Sequence, residues 1–145
     1  MPHLTLQITP LGPVMDVLVG VSRPRAAALT QAGQPIPNPV AVRGLVDTGA
    51  SCTCIDPGVL TSLNLTPTGS QPVHTPSTQG TPVNQLQYDV SLILPHPGIS
   101  YSFHSLAVIQ SQLAVQGIQG LIGRDVLDRC LLVYDGPLGA FTLAF

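Results

Sequence analysis

The strongest signal in the chain is alternation with a period of two. From Gln85 to Leu94 the even positions Leu86, Tyr88, Val90, Leu92 and Leu94 are apolar. Gln85, Gln87, Asp89 and Ser91 between them are polar, and Ile93 is the one exception. Successive side chains of a strand point to opposite faces, so this segment predicts a strand with one buried face. Pro95-His96-Pro97-Gly98 then turns the chain. Beyond it Ile99, Tyr101 and Phe103 alternate with Ser100, Ser102 and His104, which predicts a hairpin with a four-residue loop. Leu4 to Ile8, Val14 to Val21, Val40 to Val46 and Ala140 to Phe145 are further strand candidates, the last preceded by a tight turn at Gly136-Pro137-Leu138-Gly139.

Two places break this rhythm. Asp56-Pro57-Gly58 predicts the start of a short helix, with Asp56 as N-cap and Pro57 in the first turn, carrying Val59, Leu60 and Leu63. Arg124 to Leu131 sets Val126, Leu127, Cys130 and Leu131 on one helical face and spaces Asp125 and Arg129 as an acid-first i,i+4 pair. Residues 22–39, rich in Pro, Ala and small polar side chains, predict an inserted loop with at most one helical turn at Ala26–Leu29. The polar stretch from Thr66 to Gln85 holds Pro67, Pro72, Pro76 and Pro82. It is too long for an idle connection and predicts a lid or mobile hairpin at about residues 71–87.

At 145 residues the chain is expected to form a single domain, 1–145. Only 8% of its residues are charged, against about a quarter in an average domain. There are five Arg and seven Asp, with no Lys and no Glu. Nothing in this balance supplies the basic footprint that a phosphate backbone needs, so no nucleic-acid partner is expected. The three cysteines do not make a disulfide framework and suit a reducing compartment, so a cytoplasmic location is expected. Met1-Pro2-His3 lacks the charged start of a signal peptide. No apolar run approaches the length of a membrane span, so no membrane partner is expected either. A mean hydropathy of +0.37 with so few charges favours hiding apolar surface in a second subunit.

The chemistry concentrates at Gly44-Leu45-Val46-Asp47-Thr48-Gly49-Ala50-Ser51, where an apolar run ends on one carboxylate followed by Thr and Gly. An Asp leaving a buried strand loses hydration, and the Gly lets another chain or a substrate approach the backbone. On its own this is also how a strand ends in an Asx turn. A second segment, Gly120-Leu121-Ile122-Gly123-Arg124-Asp125, runs two hydrophobics and a Gly into the second predicted helix.

In order and spacing the two segments together resemble the retropepsin family, the retroviral-type aspartic proteases and their cellular and bacterial relatives. In that family an Asp-Thr-Gly-Ala/Ser turn is crossed by a strand ending hydrophobic-hydrophobic-Gly. Gln85-Leu86-Gln87-Tyr88-Asp89 is similar to the descending arm of the family's flap. The resemblance implies an all-β fold, a closed or partly closed acid-protease barrel with a flap hairpin and one short C-terminal helix. It departs from the family's pattern at Ser51 and Cys52, where viral members often carry a further acid, so the partner of Arg124 is open. The expected flap tip, Ser77-Thr78-Gln79-Gly80, holds one Gly and is flanked by Pro76 and Pro82.

Peptide hydrolysis of this kind needs two carboxylates around one water, one acting as base and the other as acid. The chain has one Asp-Thr-Gly. Asp135-Gly136 lacks the hydroxyl residue, and Asp125 is assigned to the helix start. The expectation is therefore a homodimer in which Asp47 meets its copy across a two-fold axis. Thr48 and Gly49 would support the catalytic turn. Ala50, Ser77, Thr78, Gln79, Gly80, Val83, Leu121 and Ile122 would line the substrate cleft, and an extended peptide or protein would be the substrate. No metal and no organic cofactor is implied. Cys52-x-Cys54 is read as half-buried thiols rather than a zinc site, since no second Cys pair and no His-x-x-x-His accompanies it. A dimeric module that binds peptides without cutting them is the competing function on the same fold.

Overall fold

The computed structural model describes residues 1–76 and 79–145. Along the chain its strands are β1 (His3–Gln7), β2 (Val14–Val21), β3 (Val40–Val46), β4 (Cys54–Ile55), β5 (Gly69–Val73), β6 (Val83–Leu94), β7 (Tyr101–Gln110), β8 (Gly120–Ile122), β9 (Leu131–Asp135) and β10 (Ala140–Ala144). The helices are α1 (Arg23–Gln31), α2 (Pro57–Ser62) and α3 (Arg124–Leu127). No helix among the described residues is long and apolar enough to cross a membrane.

The strands β2-β3-β8-β4-β7-β6 lie side by side, and β6 returns to β2 through pairs running from Leu18↔Ile93 to Val21↔Val90. That last pairing closes a barrel, which leaves no free edge along its wall. The alternation in β6 explains how it is filled. Tyr88, Val90, Leu92 and Leu94 are buried, where they meet Val17 and Val19 of β2 and Val42 of β3 in one core cluster. Burying such side chains contributes about 1.5–3 kcal/mol each. A second, antiparallel sheet of order β1-β10-β9 packs Phe141 and Leu143 into the same core.

Leu86 lies on the apolar face of β6, yet it is 42% exposed. Here β6 has run past the barrel and pairs instead with β5, in a register from Gly69↔Gln87 to Val73↔Val83. The polar 66–85 stretch thus contributes β5 and the start of β6 to an antiparallel hairpin beyond the closed barrel.

Three expectations are corrected. The loop between β6 and β7 takes six residues rather than four, because the last pair is Leu94↔Tyr101, and Ile99 is left 74% exposed in the loop. Local side chains hold it open: His96 Nδ1 accepts from the Gly98 and Ile99 N–H groups at 2.9 and 3.3 Å, and Ser100 Oγ accepts from His96 N–H at 3.0 Å. The 22–39 segment is not a bare loop, since α1 occupies nine residues of it. Ser22 caps that helix by accepting from Arg25 N–H at 3.3 Å, Pro24 lies in its first turn, and the Ala run favours helix; only Leu29 is buried. Lastly, α3 is a single turn that stops at Leu127 instead of running to Leu131. Leu131 onward is drawn into β9, paired from Leu131↔Ala144 to Asp135↔Ala140. Arg129 therefore lies outside the helix, and the expected Asp125–Arg129 helical pair does not form.

Candidate active site

Asp47 owes its position to two strands. β3 runs parallel to β8 with Gly44↔Gly120, Leu45↔Leu121 and Val46↔Ile122 in register. At its end the Asp47 N–H donates to the Ile122 carbonyl at 3.0 Å, so the turn begins while still anchored to β8. Gly44 permits this closeness, since a Cβ there would sit 2.9 Å from Ile122 Cγ1. The turn closes with Ala50 N–H donating to the Asp47 carbonyl at 3.2 Å. Gly49 N–H donates to Asp47 Oδ1 at 2.8 Å and aims the carboxylate. Asp47 is half-buried, while Thr48 and Gly49 are exposed.

The returning segment is locked just as firmly. Thr53 is fully buried. Its N–H and hydroxyl donate to the two Asp125 oxygens at 2.9 and 2.7 Å, and its hydroxyl accepts from Gly123 N–H at 3.2 Å. A Cβ on Gly123 would lie 2.5 Å from the Cys52 carbonyl carbon, so only glycine lets β8 pass under this loop. Arg124, left without a carboxylate by Ser51, holds the turn from both ends. Its Nη1 donates to the Thr48 carbonyl at 2.9 Å and its backbone N–H to the Ala50 carbonyl at 2.9 Å. Asp125, expected only to serve the helix dipole, also accepts from Val126 N–H at 2.9 Å.

The carboxylate opens onto a cavity of about 450 Å³ between the turn, the β5–β6 hairpin and the end of β7. Of the residues expected in a cleft, Asp47, Gly49, Ala50 and Leu121 line it. Ile122 does not. It is fully buried in the barrel core, because neighbouring residues of β8 face opposite sides. Val83 is 47% exposed on the hairpin arm, opposite Val73, which does line the cavity. Gln79 and Gly80 form an exposed turn with φ of +49° and +82° and lie outside the lining. Ser77 and Thr78 lie outside the described residues.

The walls that sequence reasoning missed are His74 and Pro76 on the hairpin, Ile109 and Gln110 on β7, and Cys52 and Cys54. No local pattern marks Ile109 as a cleft residue. It arrives there because the two-residue β4 pairs parallel to β7 through Cys54↔Ile109, a contact with no sequence signature. Cys52-x-Cys54 is visible as a motif, with Cys52 close to the Asp47 turn in sequence, and the structure adds that both thiols line the cavity.

Two titratable groups near the site are strongly shaped by their surroundings. Burial, then the adjacent Cys52 thiol, then the Asp125 and Asp47 carboxylates push the Cys54 thiol up to about 12. Burial alone would raise the Asp56 carboxyl. N–H donors from Leu113, Gly58 and Ala114, at 2.8–2.9 Å, outweigh it and hold the group below its ordinary value. Asp56 thereby fastens the cap of α2 to the segment after β7. Among the described residues no group of three or more His, Cys, Asp or Glu side chains is placed to hold a metal ion.

Comparison with known proteins agrees with this geometry. A family model described as "Aspartyl protease" matches residues 36–126, well over half of the chain. Among solved structures the chain is similar to a retropepsin-like aspartic protease from Rickettsia conorii, at 14% identity over 99% of this chain and 90% of that one, with a TM-score of 0.59. At that identity the likeness speaks to the fold. No curated protein matches the sequence.

Proposed function

Since the chain belongs to the aspartyl protease family, we propose that it is a homodimeric endopeptidase in which Asp47 of each protomer shares one water and one proton. The observation that carries this reading is that Asp47, which accepts from the Gly49 N–H, is the one carboxylate among the described residues that line the cavity. The other two carboxylates near the turn are spent on structure: Asp125 holds Thr53 and Val126, and Asp56 holds three backbone N–H groups. A second reacting acid must therefore come from a second chain. Thr48 and Gly49 are exposed on the surface where that chain would dock.

In the dimer the two carboxylates lie too close for both to ionise, so they titrate as a pair. The ionised Asp47 takes a proton from the water, whose oxygen attacks the carbonyl carbon of the scissile bond. The protonated Asp47 of the other protomer donates to the carbonyl oxygen, giving a neutral tetrahedral diol. Its collapse returns the proton from one hydroxyl and places another on the departing amine. Arg124 keeps the turn rigid through Thr48 and Ala50, so the carboxylate needs no reorganisation during the step.

The substrate in this reading is an extended peptide lying between the turn and the hairpin and pairing through its main chain. Residues 77–80 would cover it. Ala50, Leu121 and the hairpin around Val83 would meet its side chains, which favours apolar residues at the cut. All three cysteines are free, which supports a reducing, cytoplasmic setting. The test is a peptide-library digest read by mass spectrometry beside Asp47→Asn, with the solution mass of both proteins measured by light scattering. Cleavage that vanishes in a folded, dimeric Asp47→Asn supports the reading. Binding of peptides with no products would make the chain a peptide-binding module, and full activity in the variant would refute the mechanism.

A further inference from the structure

We infer that Cys52 and Cys54 form a redox-sensitive dithiol in the cleft wall, whose oxidation to an intrachain disulfide by a peroxide disables the site. Both thiols are free and half-buried, and both line the cavity that holds Asp47. They lie two residues apart on an extended segment, which sets both side chains on the face toward the cavity, and the Cys54 Sγ lies 3.8 Å from the Cys52 carbonyl oxygen.

The backbone between them is pinned. Thr53 gives its N–H and hydroxyl to Asp125, its carbonyl accepts from Ile109 N–H at 3.0 Å, and the Cys52 carbonyl abuts Gly123. The bond must therefore close by rotation of the two side chains. Residues two apart in an extended segment have Cα atoms about 6.6–6.8 Å apart and side chains on one face, at the long end of what a disulfide spans. A bridge so placed is strained, and strained bridges are the readily reduced ones.

The chemistry balances with a hydroperoxide as oxidant. The Cys52 sulfur attacks one peroxide oxygen, the O–O bond breaks, and the departing oxygen leaves as water or alcohol, giving a sulfenic acid on Cys52. The Cys54 sulfur then attacks the Cys52 sulfur. The S–O bond breaks, and the hydroxyl departs as water with the proton of Cys54. Two thiols lose two electrons in total, and the peroxide gains them. The high pKa of Cys54 keeps it from reacting first, which assigns Cys52 as the attacked sulfur. Strain in the bridge falls on the segment that returns from the Asp47 turn, and a shift of about 1 Å at a reacting group costs on the order of a hundredfold in rate.

Only the functional half of this inference rests on Asp47 being catalytic, and the experiment separates the two halves. In a Cys130→Ser background the protein is treated with hydrogen peroxide and read in parallel by intact mass, peptide mapping and peptide cleavage. The expected result is loss of two hydrogens, a Cys52–Cys54 bridge in the map, and a fall of about tenfold or more in kcat/KM that dithiothreitol reverses. Cys52→Ser and Cys54→Ser, each compared with its own reduced form, should show no such reversible fall. A sulfinic acid on Cys52 without a bridge, or a bridge between chains, would overturn the site. A bridge with unchanged kcat/KM would overturn its effect. If the reduced protein cuts nothing, the endopeptidase reading fails, the mass and map still decide the dithiol, and binding of a statine peptide before and after peroxide decides its effect on the cleft.

Discussion

Gly123→Ala tests how the Asp47 turn is held. Gly123 has an ordinary φ of −86°, so alanine meets no conformational penalty there and the effect is purely steric. The added methyl would lie 2.5 Å from the Cys52 carbonyl carbon, 2.6 Å from its oxygen and 2.9 Å from Thr53 N. Ordinary contact begins at 3.4 Å, so the two backbones must part by 0.9 Å, the difference between 3.4 and 2.5 Å. None of the three atoms belongs to a flexible side chain that could swing away. Overpacking of this kind costs about 1–3 kcal/mol. Parting the strands also stretches the Gly123–Thr53 and Thr53–Asp125 bonds, which adds about 1–2 kcal/mol. The total is about 2–5 kcal/mol, a drop of roughly 1–2.5 M in the urea midpoint for a domain of this size. Gly69→Ala is the control, since nothing lies within 4 Å of a Cβ there, and it should shift the midpoint by less than about 0.5 kcal/mol equivalent. Urea unfolding followed by circular dichroism, with peptide cleavage measured alongside, reads both variants. A Gly123→Ala midpoint within error of wild type would refute the claim that this crossing fixes the turn.

Three further outcomes follow from the same geometry. Arg124→Ala removes the bond to the Thr48 carbonyl and should lower kcat by about tenfold to a hundredfold with little change in KM; Arg124→Lys should recover part of the loss, and equal changes in kcat and KM would count against a positioning role. Asp56→Ala should cost about 2–4 kcal/mol at neutral pH, because three N–H groups lose a charged acceptor. The folded pKa of Asp56 lies below its ordinary 3.8, so this contribution is complete above pH 3.8 and fades as the pH falls through the folded value. Thermal melts at neutral and acid pH should show the wild-type advantage shrinking only at the acid end, and an advantage that grows there would contradict the assignment. Cys54, held at about 12 against an ordinary 9.0, should be alkylated by iodoacetamide about a thousandfold more slowly at mildly alkaline pH than a free thiol, as read by peptide mapping.

The parts of the fold that were legible in the sequence are those where one strand face is buried along its whole length. β2 and β3 have the expected bounds, and β6 is recognisable because core burial enforces the alternation of Tyr88, Val90, Leu92 and Leu94. Elements held by something other than an apolar stripe were harder. α1 has almost no buried face, and its cap and Ala run carry it, so periodicity gave no warning. Leu131 fits a helical face equally well, and only its pairing with β10 decides for strand. At the site, the Asp47 turn and the Gly123 crossing were readable because their chemistry demands particular residue types. The wall formed by Ile109 and Gln110 was not, because it depends on the pairing of two-residue β4 with a strand more than fifty residues away. The role of Arg124 was hidden for a similar reason. Its acceptor is a backbone carbonyl, which carries no residue identity.

The central claim is that one Asp47 is useless without another, and mixing tests it most directly. A fixed amount of wild type is incubated with an equal amount of Asp47→Asn until subunits exchange, and cleavage is then measured. Random pairing leaves about half of the wild-type chains facing a wild-type partner, so activity should fall to about half, and to about a quarter with a threefold excess of the variant. Activity that stays constant however much Asp47→Asn is added, with exchange verified by mass, would show that each chain works alone and would contradict the account.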